Sequence, residues 1–325
     1  MPPALACPGH ARVRALVTGA AGFIGSHLAE RLVEGGATVV GIDSFTDFYP
    51  RATKERNLAG LRSSTAFNLV ESALIDADLS ALLDGVTHVF HLAAQAGVRD
   101  SWGQHFHVYT ANNVEATQLL LEACLGKPIE RLVYASSSSV YGESVPLPMR
   151  EDARRQPISP YGVTKLAAEQ LCSLYHVNYG LPAVALRFFT VYGPRQRPDM
   201  GFFRFLRAAA RGETVHQFGD GRQTRDFTFV ADAVAATVAA ADRGTPGGVY
   251  NIGGGSRVEL LAVFELIRRV TGRPMRVEPI DAQRGDMRDT YADTTRARED
   301  LAFAPTTTLE EGLRAQYKWM KAEHD

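Results

Sequence analysis

The amino-acid sequence predicts an α/β fold: a Rossmann-type, doubly wound parallel sheet carrying a smaller, mixed α/β lobe. Three observations predict it. Short apolar runs alternate with amphipathic helical patterns over the first 190 or so residues, the rhythm of parallel strands joined by right-handed crossovers. The first apolar run ends in glycines that open a helix, the layout of a phosphate-binding turn. Beyond that point prolines and glycines cut the chain into shorter pieces, as in a capping lobe.

Taken in order, residues 1–12 read as a disordered N-terminal segment and Val13–Thr18 as a buried strand. Gly22–Glu34 follows as a helix and Thr38–Asp43 as a second strand. Further strands are expected at Phe67–Val70, His88–His91, Arg131–Ala135 and Ala183–Phe189, with helices at Tyr109–Ala123 and Tyr161–Tyr179. The first lobe then spans 13–190 and the second 191–325. That boundary is soft, because Phe227–Asn251 is free to return to the first lobe.

Composition narrows the function classes. A net charge of −1 gives no reason to expect a nucleic-acid or anionic-membrane partner. Cys7, Cys124 and Cys172 are odd in number and form no CxxC pair. They argue against a disulfide framework and a zinc site, and for a reducing compartment. The start of the chain lacks the apolar core of a signal peptide, and no run approaches ~18 apolar residues. A soluble, cytoplasmic protein is expected. The histidines, His105, His107, His176 and His216 among them, have no metal-ligand spacing, so no metal is expected. Eight arginines fall between Arg187 and Arg225 against Asp199, Glu213 and Asp220. Either a multiply anionic small ligand or a solvated helix face accounts for the excess, and helical spacing favours the second for Arg204, Arg207 and Arg211.

Thr18-Gly19-Ala20-Ala21-Gly22-Phe23-Ile24-Gly25 closes the first strand and opens the first helix. Gly19, Gly22 and Gly25 allow a tight turn and close backbone approach. The free N–H groups at Gly22, Phe23 and Ile24 suit a pyrophosphate. Asp43, ending the next strand, is placed for both ribose hydroxyls, and a carboxylate there repels a 2′-phosphate, so NAD is expected over NADP. Tyr161 and Lys165 are four apart at the start of a helix and so share a face. A phenol of reference pKa near 10 is a poor base, and a neighbouring ammonium would lower that value. Ser136–Ser139 follow the fifth strand at the carboxyl edge, where such sheets bind ligands.

GxxGxxG near the N-terminus, His91-Leu92-Ala93-Ala94 after a strand and Tyr161-Gly162-Val163-Thr164-Lys165 together resemble the extended short-chain dehydrogenase/reductase family over essentially the whole chain. The resemblance implies that Leu92, Ala93, Ala94 and Lys165 join the cofactor site, with Tyr161, Lys165 and Ser137 as the catalytic residues. The family usually has an Asp and an aliphatic residue near the adenine, whereas this chain has Glu71-Ser72. Relatives that eliminate water carry Asp-Glu before Val-Tyr-Gly, and decarboxylating relatives carry Glu before the Val. Here Ser138 and Ser139 stand in those places, which leaves oxidation and reduction alone.

Leu186–Met200, with Thr190 and the run Arg197-Pro198-Asp199-Met200, is similar to the signature of UDP-glucuronate 4-epimerases. A hydroxyl donor and a guanidinium suit a C6 carboxylate, since Arg offers charge-assisted, bidentate hydrogen bonds. By the same resemblance Arg99 is a substrate-loop candidate, Gln217 and Phe218 face the uracil, and Arg225 and Arg284 hold the diphosphate. The first lobe is then the NAD-binding domain and the second binds a UDP-sugar. The expected reaction is C4 epimerisation of UDP-glucuronate to UDP-galacturonate through a 4-keto sugar, with transient hydride transfer to tightly bound NAD. A homodimer through the two long helices is implied. Epimerisation of neutral UDP-hexoses or UDP-pentoses, decarboxylation of UDP-glucuronate and NAD sensing without catalysis remain the alternatives.

Overall fold

A computed structural model describes residues 13–322; the N-terminal segment 1–12 and Cys7 lie outside the described residues. Six strands run β1 (Arg14–Thr18), β2 (Thr38–Asp43), β3 (Phe67–Glu71), β4 (His88–His91), β5 (Arg131–Ser137) and β6 (Ala183–Phe188). Together with Val249–Ile252 they form a seven-stranded parallel sheet. From one edge to the other the order is Val249–Ile252, β6, β5, β4, β1, β2, β3. Successive strands spread one way from β1 and the other way from β4, so the order reverses between these two. The crevice outside their carboxyl ends is where open α/β sheets take ligands.

The strands are nearly all apolar because both sheet faces are covered. Helix α1 (Phe23–Glu34) and the helix Val230–Arg243 cover one face, contributing Leu28, Leu32, Ala233 and Ala240 to its core. Ala116–Cys124 and Pro160–Tyr179 cover the other, through Leu120, Leu121, Ala168 and Cys172. The second long helix is well delimited: the Ser159 hydroxyl caps Gly162 N–H, Pro160 occupies the first turn, and Gly180 ends it at φ +70°. A separate aromatic core of Phe202, Phe203, Phe227 and Phe264 underlies the small strand pairs of the second part of the chain.

The helix expected at Tyr109–Ala123 is in three pieces. Phe106–Tyr109 and Ala116–Cys124 are α-helical, and Thr110–Glu115 between them is a π-turn. The extra residue in that turn lets Asn113 face the sheet edge. There its side chain accepts from Gln95 N–H at 2.7 Å and donates to the Gln95 carbonyl and to Thr164 Oγ1, both at 3.0 Å.

Candidate active site

A cavity of about 420 Å³ opens at the crevice, within the size range of small-molecule sites. At one end lies the glycine turn. Gly19 has φ +72°, and a Cβ on Gly25 would sit 2.1 Å from the Gly19 carbonyl oxygen, so both positions require glycine. No side chain caps the first turn of α1. Its N–H groups therefore face the cavity uncapped, the donor set a pyrophosphate needs. Gly19, Gly22, Phe23, Ile24, Gly25, Asp43, Leu92, Ala93, Ala94 and Lys165, all expected at the cofactor site, line this cavity.

One neighbour there, Lys54, was not anticipated. The buried Asp43 carboxylate accepts from Ala21 N–H at 3.1 Å, Phe45 N–H at 2.9 Å and the Lys54 ammonium at 2.9 Å. Lys54 is itself buried and lies over the Phe45 and Tyr49 rings. Its charge offsets that of Asp43, so the barrier to a 2′-phosphate is lower than the carboxylate alone implies. A lysine eleven residues downstream in a short helix carries no sequence signal for this role. Glu71 turns away and pairs with Arg51 at 2.6 and 2.7 Å, while Ser72 faces the cavity.

At the other end stand Ser137, Ser138, Ser139, Tyr161, Lys165, Thr190 and Arg197. Ser137 accepts from Ser139 N–H at 3.1 Å and its hydroxyl hydrogen-bonds the Tyr161 phenol, which lowers that pKa. Burial outweighs this effect and that of the nearby Arg197 cation, and Tyr161 titrates above its ordinary value. The Lys165 ammonium lies 4.4 Å above the Tyr134 ring, and desolvation pulls its pKa down to about 7. Arg197 gives Nε–H and one Nη2–H to Asp199, both at 3.0 Å, and the rest of its fork stays open for an anion.

A second cavity, of about 430 Å³, shares Thr190 and Met200 with the first. Phe218, Arg225, Arg99 and Arg288 line it. Arg225 is held by the carbonyls of Thr224 and Arg288, each at 2.9 Å. Arg99 stacks 3.8 Å from the Phe218 ring centre and pairs with Asp286 at 2.7 Å. Two expected residues are elsewhere. Gln217 is turned inward, its amide donating to the Gly219 carbonyl at 3.0 Å beneath Gly221, because alternate residues of a strand face opposite ways. Arg284 is exposed on a loop, and Arg288, four residues on, stands at the cavity instead. A small pocket between the two larger cavities shares Ser138, Ser139 and Thr190 with the first and Thr190 and Arg225 with the second.

Arg187 is fully buried and pairs bidentately with Glu169 at 2.6 and 3.0 Å. Its guanidinium also donates to Tyr141 and the Glu151 carbonyl. It is part of the core and does not belong to an anion site. Among the described residues no cluster of His, Cys, Asp or Glu is arranged to hold a metal.

Residues 15–253 match the family model for the NAD dependent epimerase/dehydratase family. The sequence is 45% identical to a Bacillus subtilis protein named uncharacterized UDP-glucose epimerase YtcB, over 95% of this chain and 98% of the relative. It is 36% identical to a UDP-glucuronate 4-epimerase of Thermodesulfobacterium geofontis, over 94% of this chain and 95% of that one. Among solved structures, UDP-glucuronic acid 4-epimerase from Bacillus cereus, in complex with UDP-glucuronic acid and NAD, superimposes with a TM-score of 0.93. It is 42% identical, and the match covers 96% of this chain and 100% of that one. With the glycine turn, the serine edge and the Tyr161–Lys165 helix placed as this fold requires, the chain belongs to the NAD dependent epimerase/dehydratase family.

Proposed function

We propose that the protein is an NAD-dependent UDP-glucuronate 4-epimerase, interconverting UDP-glucuronate and UDP-galacturonate through a 4-keto sugar. The observation that carries the proposal is the convergence of Ser138, Ser139, Thr190 and Arg197 beside Ser137 and Tyr161 on one cleft. Hydroxyls and an open guanidinium fork suit a carboxylate, and the cleft lacks the Asp-Glu pair that elimination of water would need. The relatives named above for UDP-glucuronate support the same substrate.

The pyrophosphate of NAD is assigned to the backbone at Gly19–Gly25, and the adenine ribose to Asp43 with Lys54. Bound NAD supplies the acceptor, and then the donor, for the C4 hydride. Tyr161 takes the proton of the C4 hydroxyl and returns it. Ser137 fixes that oxygen by a hydrogen bond, and Lys165 holds the neighbouring ribose. Ser138, Ser139, Thr190 and Arg197 hold the C6 carboxylate, which in the 4-keto sugar is β to a ketone and prone to leave as CO₂. A polar grip that restricts its rotation preserves it. Phe218 and the arginines Arg225 and Arg288 are assigned to the uridine diphosphate. Residues 13–190, together with the helix Val230–Arg243 and the strand Val249–Ile252 that return to the sheet, are assigned as the cofactor lobe, and the rest of 191–325 as the sugar-nucleotide lobe. The two buried free thiols, Cys124 and Cys172, suit a reducing, cytoplasmic setting.

The test is NMR of UDP-glucuronate incubated with the pure protein and no added cofactor. UDP-galacturonate should accumulate, and acid precipitation should release a substantial fraction of one NAD per chain. Conversion of UDP-glucose with none of UDP-glucuronate would overturn the assignment. Tyr161→Phe should keep its fold and NAD while turnover falls by roughly two to four decades.

A further inference from the structure

The loop that carries Arg197 is fastened to the cofactor helix by contacts the chemistry itself does not use. Arg195, two residues earlier, has φ +64°, the left-handed region that a side chain of this size avoids. Such a conformation persists only where the surroundings over-determine it. Its guanidinium grips Glu30 of α1 at 2.9 and 2.8 Å and donates to the Ser26 hydroxyl at 3.3 Å. Ser26 and Glu30 are one turn apart and share a face of the helix. His27, beside Ser26 on the same helix, donates its Nε2–H to the Pro194 carbonyl at 3.0 Å. Burial holds this imidazole below its ordinary pKa and so neutral.

Gln196 points the other way. Its buried amide oxygen accepts from Phe203 N–H at 2.9 Å and from the Gln316 amide at 2.8 Å. Three consecutive side chains therefore diverge: Arg195 to α1, Gln196 into the second lobe, and Arg197 to the cavity wall near Tyr161. The N-terminus of α1 is also where the cofactor pyrophosphate is assigned. One helix thus references both the group that takes the hydride and the arginine that reads the sugar's C6 substituent.

We propose that Arg195 and Glu30 are positioning residues that set Arg197 against the C6 carboxylate, and thereby determine selectivity for acidic over neutral UDP-sugars. This rests on the assignment of Arg197 given above. The experiment measures kcat/KM for UDP-glucuronate and UDP-glucose, together with bound NAD, in the parent, Glu30→Ala, Arg195→Gly, Arg197→Ala and the charge-swapped Glu30→Arg/Arg195→Glu. Glycine tolerates the left-handed turn, so Arg195→Gly removes the grip without straining the loop.

The expected result is a loss of about ten- to a hundredfold for UDP-glucuronate in Glu30→Ala and Arg195→Gly, the scale of a displacement near 1 Å. UDP-glucose should change by no more than a few-fold, NAD should stay bound, and the charge swap should restore much of the acid-to-neutral ratio. Equal losses for the two sugars, or loss of NAD, would make the contact a general staple between lobes and overturn the proposal. If Arg197→Ala shifts the ratio while the Glu30 and Arg195 variants do not, the clamp alone is overturned. If Arg197→Ala leaves the ratio unchanged, the assignment of Arg197 falls and the clamp with it.

Discussion

Lys165 is a cation enclosed where its charge is costly. It is 3% exposed, its partner is an aromatic face, and desolvation brings its pKa down to about 7. Near neutral pH the ammonium and the amine are therefore both populated. A lysine of this kind switches easily between holding a ribose hydroxyl and easing the charge on a neighbouring phenolate. The sign of its effect on stability follows from linkage. Between about 7 and the ordinary lysine value of 10.5 the unfolded chain binds a proton that the folded chain has released. Stability from this group is then present at high pH and is lost as pH falls through 7. Thermal melts of the parent and Lys165→Met across that window isolate the term: the parent should gain on the variant as pH rises from 7. A pH-independent difference between the two would mean the ammonium is not desolvated. Arg197 is already committed on one edge, since Asp199 accepts two hydrogen bonds from its guanidinium. Arg197→Ala should lower kcat/KM for UDP-glucuronate by roughly ten- to a hundredfold, the scale of one or two hydrogen bonds to a charged group. UDP-glucose should lose much less, and steady-state kinetics on both sugars reads the difference.

Elements place these groups by means that the sequence reveals unevenly. The end of β4 is locked to the end of β1 through His91, which burial drives to a pKa of about 3 and so keeps neutral. Thr18 Oγ1 accepts from Leu92 and Ala93 N–H and therefore donates to His91 Nδ1 at 2.8 Å. The Nε2–H then donates to Thr117 at 2.9 Å, whose own hydroxyl donates to the Asn113 carbonyl. On the far side of β5, Arg187 of β6 pairs with Glu169 on the Tyr161 helix, and Ser136 donates to the same carboxylate at 2.6 Å. Arg187→Met leaves that carboxylate buried and uncompensated. It should cost about 3–5 kcal/mol in urea unfolding, and the added change Glu169→Leu should recover much of it. Local spacing made the glycine turn, Asp43, the serine edge and the Tyr161–Lys165 pair legible, because each is a short motif with a chemical reason for its order. Non-local pairing did not show. Nothing in the chain says that Arg187, within β6, is a core residue while Arg197, ten residues on, lines a cleft. Lys54 and the π-turn at Asn113 depend on the approach of distant segments, and strand alternation at Gln217–Phe218 left only Phe218 at its cavity.

The whole molecule presents one surface that does not look like a solvated exterior. On the helix Pro160–Tyr179, Val163, Leu174 and Val177 are 48%, 53% and 76% exposed, and their spacing puts them within one stripe along the helix. Trp102 and Phe106, ahead of the neighbouring helix, are 45% and 40% exposed. The Ala116–Cys124 helix is tied alongside through Gln118 and Glu122 to the Tyr175 hydroxyl, so two parallel faces are offered together. Isolated apolar side chains on a surface are ordinary, but a stripe of them beside a second helix is the form a self-complementary interface takes. Two such pairs meeting about a two-fold axis would make a four-helix contact and leave both clefts open. Burying one Val or Leu side chain fully is worth about 1.5–3 kcal/mol, and every residue counts twice across a two-fold axis. Leu174→Glu/Val177→Glu should therefore remove that gain and bring like charges together. Light scattering after size exclusion should give the parent twice its 35.4 kDa chain mass and the double variant a single chain at the same concentration, with NAD still bound. A parent that runs as one chain, or a double variant that still runs as two, would place the interface elsewhere or remove it.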